Sequence, residues 1–142
     1  MIKATLQNDG HPSSVKILVV EDNKVNQKLA LKQLKVLGYV ADVASDGQEA
    51  LQRMDQDTYD IVLMDCQMPI LDGYDTTRVI RQREGVHRQT VVIAITANTS
   101  TADREKCRES GMDDFLSKPV TQEDLSAILN HWIQHIVRQS RK

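Results

Sequence analysis

Short apolar runs alternate with longer stretches in which apolar residues recur every three or four positions, starting near Lys16. The run VKILVV is rich in β-branched residues and closes on Glu21-Asp22, which predicts a strand. NKVNQKLALKQLKVL then sets Asn26, Leu29-Ala30, Gln33-Leu34 and Leu37 on one helical face, with Gly38 as the stop. Val25, Leu31 and Val36 fall outside that stripe and are expected to face water near the end of the first strand. YVADVA predicts a second strand and DGQEALQRMDQ a second helix; DIVLMD, DGYDTTRVIRQRE and TVVIAIT follow as strand, helix and strand. STADREKCRES predicts a helix capped by Ser100 and stopped by Gly111, and DDFLS a short fifth strand. Thr121-Gln122-Glu123-Asp124 opens the last helix in capping-box fashion, and Leu125, Ile128-Leu129, Trp132 and Ile136 form its core stripe.

Five strand–helix units in strict alternation predict an α/β fold, a doubly wound five-stranded parallel sheet with helices on both faces. KILVV and DIVLM after their first residue, and VVIAI entirely, run continuously apolar, as central strands buried on both faces must. In such sheets a ligand sits beyond the carboxyl ends of the strands, where the strand order reverses.

Composition narrows the function. The 142 residues carry a net charge of −2, with 40% hydrophobic and 27% charged residues, so no bulk electrostatic partner such as nucleic acid or membrane is implied. Only 4% are aromatic, which argues against a base-stacking surface. Cys66 and Cys107 have neither metal-ligand nor disulfide spacing and suit a reducing, cytoplasmic setting. Cys66 should point away from Asp65 and pack, and His131 and His135 read as incidental rather than metal-binding. No apolar run approaches the roughly 20 residues of a membrane span, and MIKATLQNDGHPSS lacks the core of a signal peptide. Residues 1–15 read as a linker, 16–138 as the domain and 139–142 as a tail.

The strand ends carry the chemistry. Strand one ends in Glu21 and Asp22, strand three in Asp65 and strand four in Thr96, while Lys118-Pro119 follows strand five. Like charges about 4 Å apart repel by roughly 4 kcal/mol at an effective dielectric near 20. The clustered hard oxygens therefore call for a cation, and they suit Mg²⁺ better than Zn²⁺. With Lys118 beside them the site attracts a phosphoryl group, and Asp65 can act as nucleophile to form an acyl phosphate.

The segments ILVVEDNKVNQ, DIVLMDCQMPILDGY, VIAITAN and GMDDFLSKPV resemble the receiver domain of two-component response regulators over roughly residues 16–137. EDNKVNQ with ADREKCRESGMDDFLSKP looks most like receivers attached to hybrid sensor histidine kinases. The resemblance implies a flavodoxin-like fold with strand order 2-1-3-4-5 and phosphorylation of Asp65 by a phosphohistidine. It further implies Mg²⁺ held by Asp22, Asp65 and the carbonyl of Gln67, with Glu21 helping. Lys118 and Thr96 would contact the phosphoryl oxygens, and Phe115 stands where the family keeps an aromatic switch. A cis peptide is implied at Lys118-Pro119. Gln67 and Asn98 flank the approach of a hydrolytic water and would tune the phosphoryl lifetime. Val25, Met68, Pro69 and Pro119 are expected to form a docking patch for a histidine kinase or a histidine-containing phosphotransfer domain.

A cytoplasmic phosphorelay module follows from this, as part of a hybrid sensor kinase whose parent could be anchored in the inner membrane. A free-standing single-domain regulator is the alternative. A flavodoxin-like cofactor binder fits less well, because Glu21-Asp22 opens the loop where that class binds phosphate, and an aspartyl-phosphate phosphatase would want an acid at Gln67.

Overall fold

The computed structural model describes residues 15–68, 71–85, 90–97 and 100–140. Strands β1 (Ile17–Val20), β2 (Ala41–Ala44), β3 (Ile61–Asp65), β4 (Val91–Thr96) and β5 (Asp114–Ser117) alternate with helices α1 (Lys24–Val36), α2 (Gly47–Gln56), α3 (Gly73–Glu84), α4 (Thr101–Ser110) and α5 (Gln122–Ser140). All neighbouring strands pair in parallel in the order β2-β1-β3-β4-β5. This is the doubly wound order that the sequence predicts. The edge strands are shorter than expected, with β2 starting at Ala41 instead of Tyr39 and β5 at Asp114 instead of Asp113. An edge strand has a ladder partner on one side only, so its ends are held less well than those of a central strand.

Side chains of β1, β3 and β4 alternate between two cores. Leu18, Val20, Val62, Met64, Val92 and Ala94 pack with Leu51 of α2, Tyr74 and Ile80 of α3 and Cys107 of α4. Ile17, Val19, Ile61, Leu63 and Ile93 pack with Leu34 of α1 and Leu125, Leu129 and Ile133 of α5. Each fully buried aliphatic side chain stabilises the fold by about 1.5–3 kcal/mol, so these strands fix the platform for whatever stands at their ends.

Each helix starts close behind its strand because a side chain caps it. Asn23, Asp46, Asp72, Ser100 and Thr121 accept the N–H groups of Asn26, Glu49, Asp75, Asp103 and Asp124 at 2.8–3.2 Å. Helix α1 is turned differently from its apolar spacing. Leu29, assigned to the core stripe by periodicity, is 53% exposed, and Asn26 is exposed as well. Gln27 is buried instead, because its Nε2 donates to the Glu21 carbonyl at 2.6 Å and to Ser45 Oγ at 3.2 Å. Val25 and Val36 are exposed as expected, whereas Leu31 is half-buried.

Arg81 of α3 ties three elements at the far end of the sheet from Asp65. Its guanidinium donates to the carbonyls of Gly111 and Thr90 and to the carboxylates of Glu84 and Asp113, all at 2.7–2.9 Å. Asp113 in turn accepts the N–H of Val92 at 2.8 Å, at the start of β4. Removing one partner of such a sheltered network leaves charge uncompensated, at a cost of about 3 kcal/mol. Arg81→Ala should lower the unfolding free energy by that amount, seen as a lower urea midpoint with an unchanged m-value; an unaltered midpoint would show the network to be incidental.

Candidate functional site

Asp65 is the last residue of β3 and is 2% exposed. It follows Ile61 and Leu63 in the strand's alternation, while Met64, Cys66 and Met68 continue onto the opposite face. Cys66 is thus packed as expected, and burial raises its thiol pKa to about 12, which keeps it inert at neutral pH. The main chain around Asp65 is tightly held. The N–H of Cys66 donates to the Ile95 carbonyl at 3.1 Å, and the N–H of Gln67 donates to Asp65 Oδ1 at 3.1 Å. Gly73, the first residue of α3, lies so close that a Cβ there would stand 2.4 Å from the Asp65 carbonyl oxygen. Only a residue without a side chain lets α3 start at that point.

Glu21 and Asp22 come from the end of β1, and oxygens of Glu21, Asp22 and Asp65 all lie within 4.8 Å of one another. Burial, reinforced by Asp65 and Asp22, pushes the Glu21 carboxyl above the usual carboxylate range against the opposing pull of the Asn23 N–H and of Lys118. The Asn23 N–H reaches Glu21 Oε2 at 3.0 Å and fixes its rotamer. Gln27, which periodicity missed, holds the Glu21 main chain from below; its signal in the sequence was a lone polar residue on a helix face otherwise bound for the core.

Lys118 Nζ stands 3.2 Å from Asp65 Oδ1. It is placed by its own N–H, which donates to the Thr96 carbonyl at 2.9 Å, and by a cis peptide to Pro119. Thr96 is buried at the end of β4, in register with Ser117 just ahead of Lys118. Phe115 pairs with Ala94 in the sheet and is half-buried, with the Arg104 guanidinium 4.9 Å from its ring centre. Asp114 bonds in two directions: Oδ1 accepts the Phe115 N–H at 2.8 Å and Oδ2 accepts the Trp132 indole N–H at 2.9 Å.

The structure thus brings Glu21, Asp22, Asp65, Thr96 and Lys118 to one rim. Gln67 is exposed beside it. Three carboxylates against one ammonium leave an excess of negative charge, and the donor set is all oxygen, which fits a hard divalent cation such as Mg²⁺. Of the docking residues, Val25 is 74% exposed and Pro119 is exposed, whereas Met68 is only 9% exposed. Met68 therefore leaves the patch: it continues the β3 alternation inward and packs in the core with Tyr74. Pro69 and Asn98 lie outside the described residues. His131 and His135 each meet the Trp132 ring edge-on and share no metal cluster among the described residues.

Between α1 and the start of α5 runs a cavity of about 370 Å³ lined by Leu29, Gln33, Val120 and Leu125, with Asp65 and Lys118 at one end. No helix among the described residues is long and apolar enough to cross a membrane.

The family model for the response regulator receiver domain matches residues 17–130. Hybrid signal transduction histidine kinase B of Dictyostelium discoideum is 44% identical over an alignment 120 residues long that covers 78% of this chain and 6% of that protein. The chain thus spans a small fraction of that relative. The receiver domain of the Pseudomonas aeruginosa sensor histidine kinase PA1611, solved with a magnesium ion coordinated in its active-site cleft, is 44% identical with a TM-score of 0.76, covering 84% of this chain and 97% of that one. The co-crystal of the Saccharomyces cerevisiae histidine phosphotransfer protein Ypd1 with the receiver domain of Ssk1 matches at 30% identity and a TM-score of 0.79, covering 86% of this chain and 90% of that one.

Proposed function

Because the chain belongs to the response regulator receiver family, we propose that it works in a phosphorelay with Asp65 as the phosphoacceptor. The observation that carries this assignment is the placing of Asp65 Oδ1 3.2 Å from Lys118 Nζ, inside an acidic cluster within 4.8 Å. A lone strand-end aspartate needs neither neighbour.

In the reaction an oxygen of Asp65 attacks phosphorus in line. The new P–O bond forms as the P–N bond to the donor imidazole breaks, and the imidazole leaves with the bonding pair. Lys118 pairs with the phosphoryl oxygens, and the Thr96 hydroxyl donates to one of them. Glu21, Asp22, Asp65 and the Gln67 carbonyl would hold a divalent ion. Such an ion, when bound, neutralises charge on the acidic cluster and on the incoming phosphoryl oxygens. Phe115 is the side chain beside this rim that would respond to Thr96, and Val25 with Pro119 offers the partner its first contact. The likeness to hybrid kinases supports a place within such a kinase, served by a phosphohistidine domain or by a separate phosphotransfer protein.

Phosphorylated Ypd1 or acetyl phosphate tests the assignment. One phosphoryl group per chain should be incorporated with Mg²⁺ present, in a form released by hydroxylamine as acyl phosphates are. Addition of EDTA should reduce the rate at least about 100-fold, as expected when the charge at a phosphoryl-transfer site is left unbalanced. Equal labelling with and without EDTA would defeat the metal assignment.

A further inference from the structure

Helix α1 reads KVNQKLALKQLKV, with four lysines and no acid. At about 100° per residue, Lys24, Lys28, Lys32 and Lys35 share one arc of the helix surface, and Val25, Leu29 and Val36 form the arc beside it. All seven are exposed. Among the described residues none of the four lysines enters an ion pair. Lys24 even stands in the first turn, where the helix dipole disfavours a cation. Lys35, in the last turn, complements the helix dipole, but the row as a whole, unpaired among the described residues, places like charges four apart and so opposes helix stability.

Their placing relative to the cavity gives them a use. Leu29 and Gln33 form the α1 wall of the groove that ends at Asp65 and Lys118. The order across the surface is therefore apolar groove, exposed apolar ridge, lysine row, all running away from the rim. Lys24 to Lys35 covers about 16 Å along the axis, or three turns.

We propose that this face selects an acidic phosphotransfer partner. A helix of the histidine-bearing domain seats its apolar ridge in the groove, with the phosphohistidine at the Asp65 end. Its flank toward α1 carries glutamates or aspartates spread over about three turns, facing Lys24, Lys28, Lys32 and Lys35. The inference rests on the phosphoacceptor reading and adds the partner's chemistry to it. Such charges act mainly on the association rate, so the coupling fades as salt shortens the screening length below about 10 Å.

The test uses Ypd1 in its phosphohistidine form, prepared with either glutamates or lysines at the surface positions flanking the histidine. Transfer to the intact chain and to Lys28→Glu/Lys32→Glu/Lys35→Glu is read as a ratio to phosphorylation of the same protein by acetyl phosphate. With the intact chain at low ionic strength the glutamate form should transfer at least about tenfold faster. The triple variant should reverse that order, and 0.5 M salt, given as roughly three times physiological ionic strength, should shrink the difference severalfold. Lys28→Gln/Lys32→Gln/Lys35→Gln should lie between the two, which guards against misfolding of the reversed variant. Indifference to the donor's charge overturns the proposal, as does transfer from neither form while acetyl phosphate still works. Failure with acetyl phosphate as well would instead count against Asp65 as acceptor.

Discussion

Asp65→Asn should abolish phosphoryl incorporation from both phosphohistidine and acetyl phosphate, a loss limited only by the detection of label. The amide keeps the shape and the Gln67 N–H contact, but it has no anionic oxygen to attack phosphorus. The same variant should be more stable than the parent in EDTA. Asp65 is buried among oxygens of Glu21 and Asp22 within 4.8 Å, with one ammonium to offset two carboxylates. Each repulsion at about 4 Å is worth roughly 4 kcal/mol at an effective dielectric near 20, and the Lys118 attraction cancels one of them. After relaxation a gain of about 2 kcal/mol is reasonable, and urea melts in EDTA would show it. Added Mg²⁺ should raise the parent's midpoint and leave that of the variant nearly unmoved. A variant that still takes up label, or that melts below its parent in EDTA, would remove Asp65 from the centre of the site.

Lys118→Met should slow phosphorylation by about 100- to 1,000-fold, the loss typical of removing one preorganised donor from a developing anion. Methionine is unbranched like lysine and only one atom shorter, so the loss reflects charge far more than a cavity. Cation affinity should move the other way. Without the ammonium 3.2 Å from Asp65 the acidic cluster attracts Mg²⁺ more strongly, by about tenfold once solvent screening of this partly exposed lysine is allowed for. A simple structural role would lower both quantities together. Calorimetric titration of Mg²⁺ and a labelling time course separate the two, and a variant that binds the ion more weakly would refute the assignment.

The central strands were legible because a strand buried on both faces must be apolar, and ILVV, IVLM and VVIAI are. Legible strands made the rim legible in turn, since a side chain at a strand's carboxyl end has one place to go. The misreadings share a cause. Periodicity ranks positions by apolarity, so it assigned Leu29 to the core and overlooked Gln27, whose burial depends on bonds to the Glu21 carbonyl and Ser45. The docking expectation for Met68 likewise ended β3 at Asp65, whereas the alternation runs on for three residues and carries Met68 inside. The close approach of Gly73 to the Asp65 carbonyl is a clearance between backbones, and no pattern of side chains announces it.

The pair of hydrogen bonds accepted by Asp114 has an optical consequence. The sequence contains one tryptophan, and its indole is tethered through that carboxylate to the peptide nitrogen of Phe115. Emission from Trp132 is therefore an intrinsic gauge of the seam between the last strand and the last helix. Movement of the main chain at Phe115 alters the polarity and hydrogen bonding felt by the indole, so the domain carries its own dye where its ring at position 115 meets the sheet.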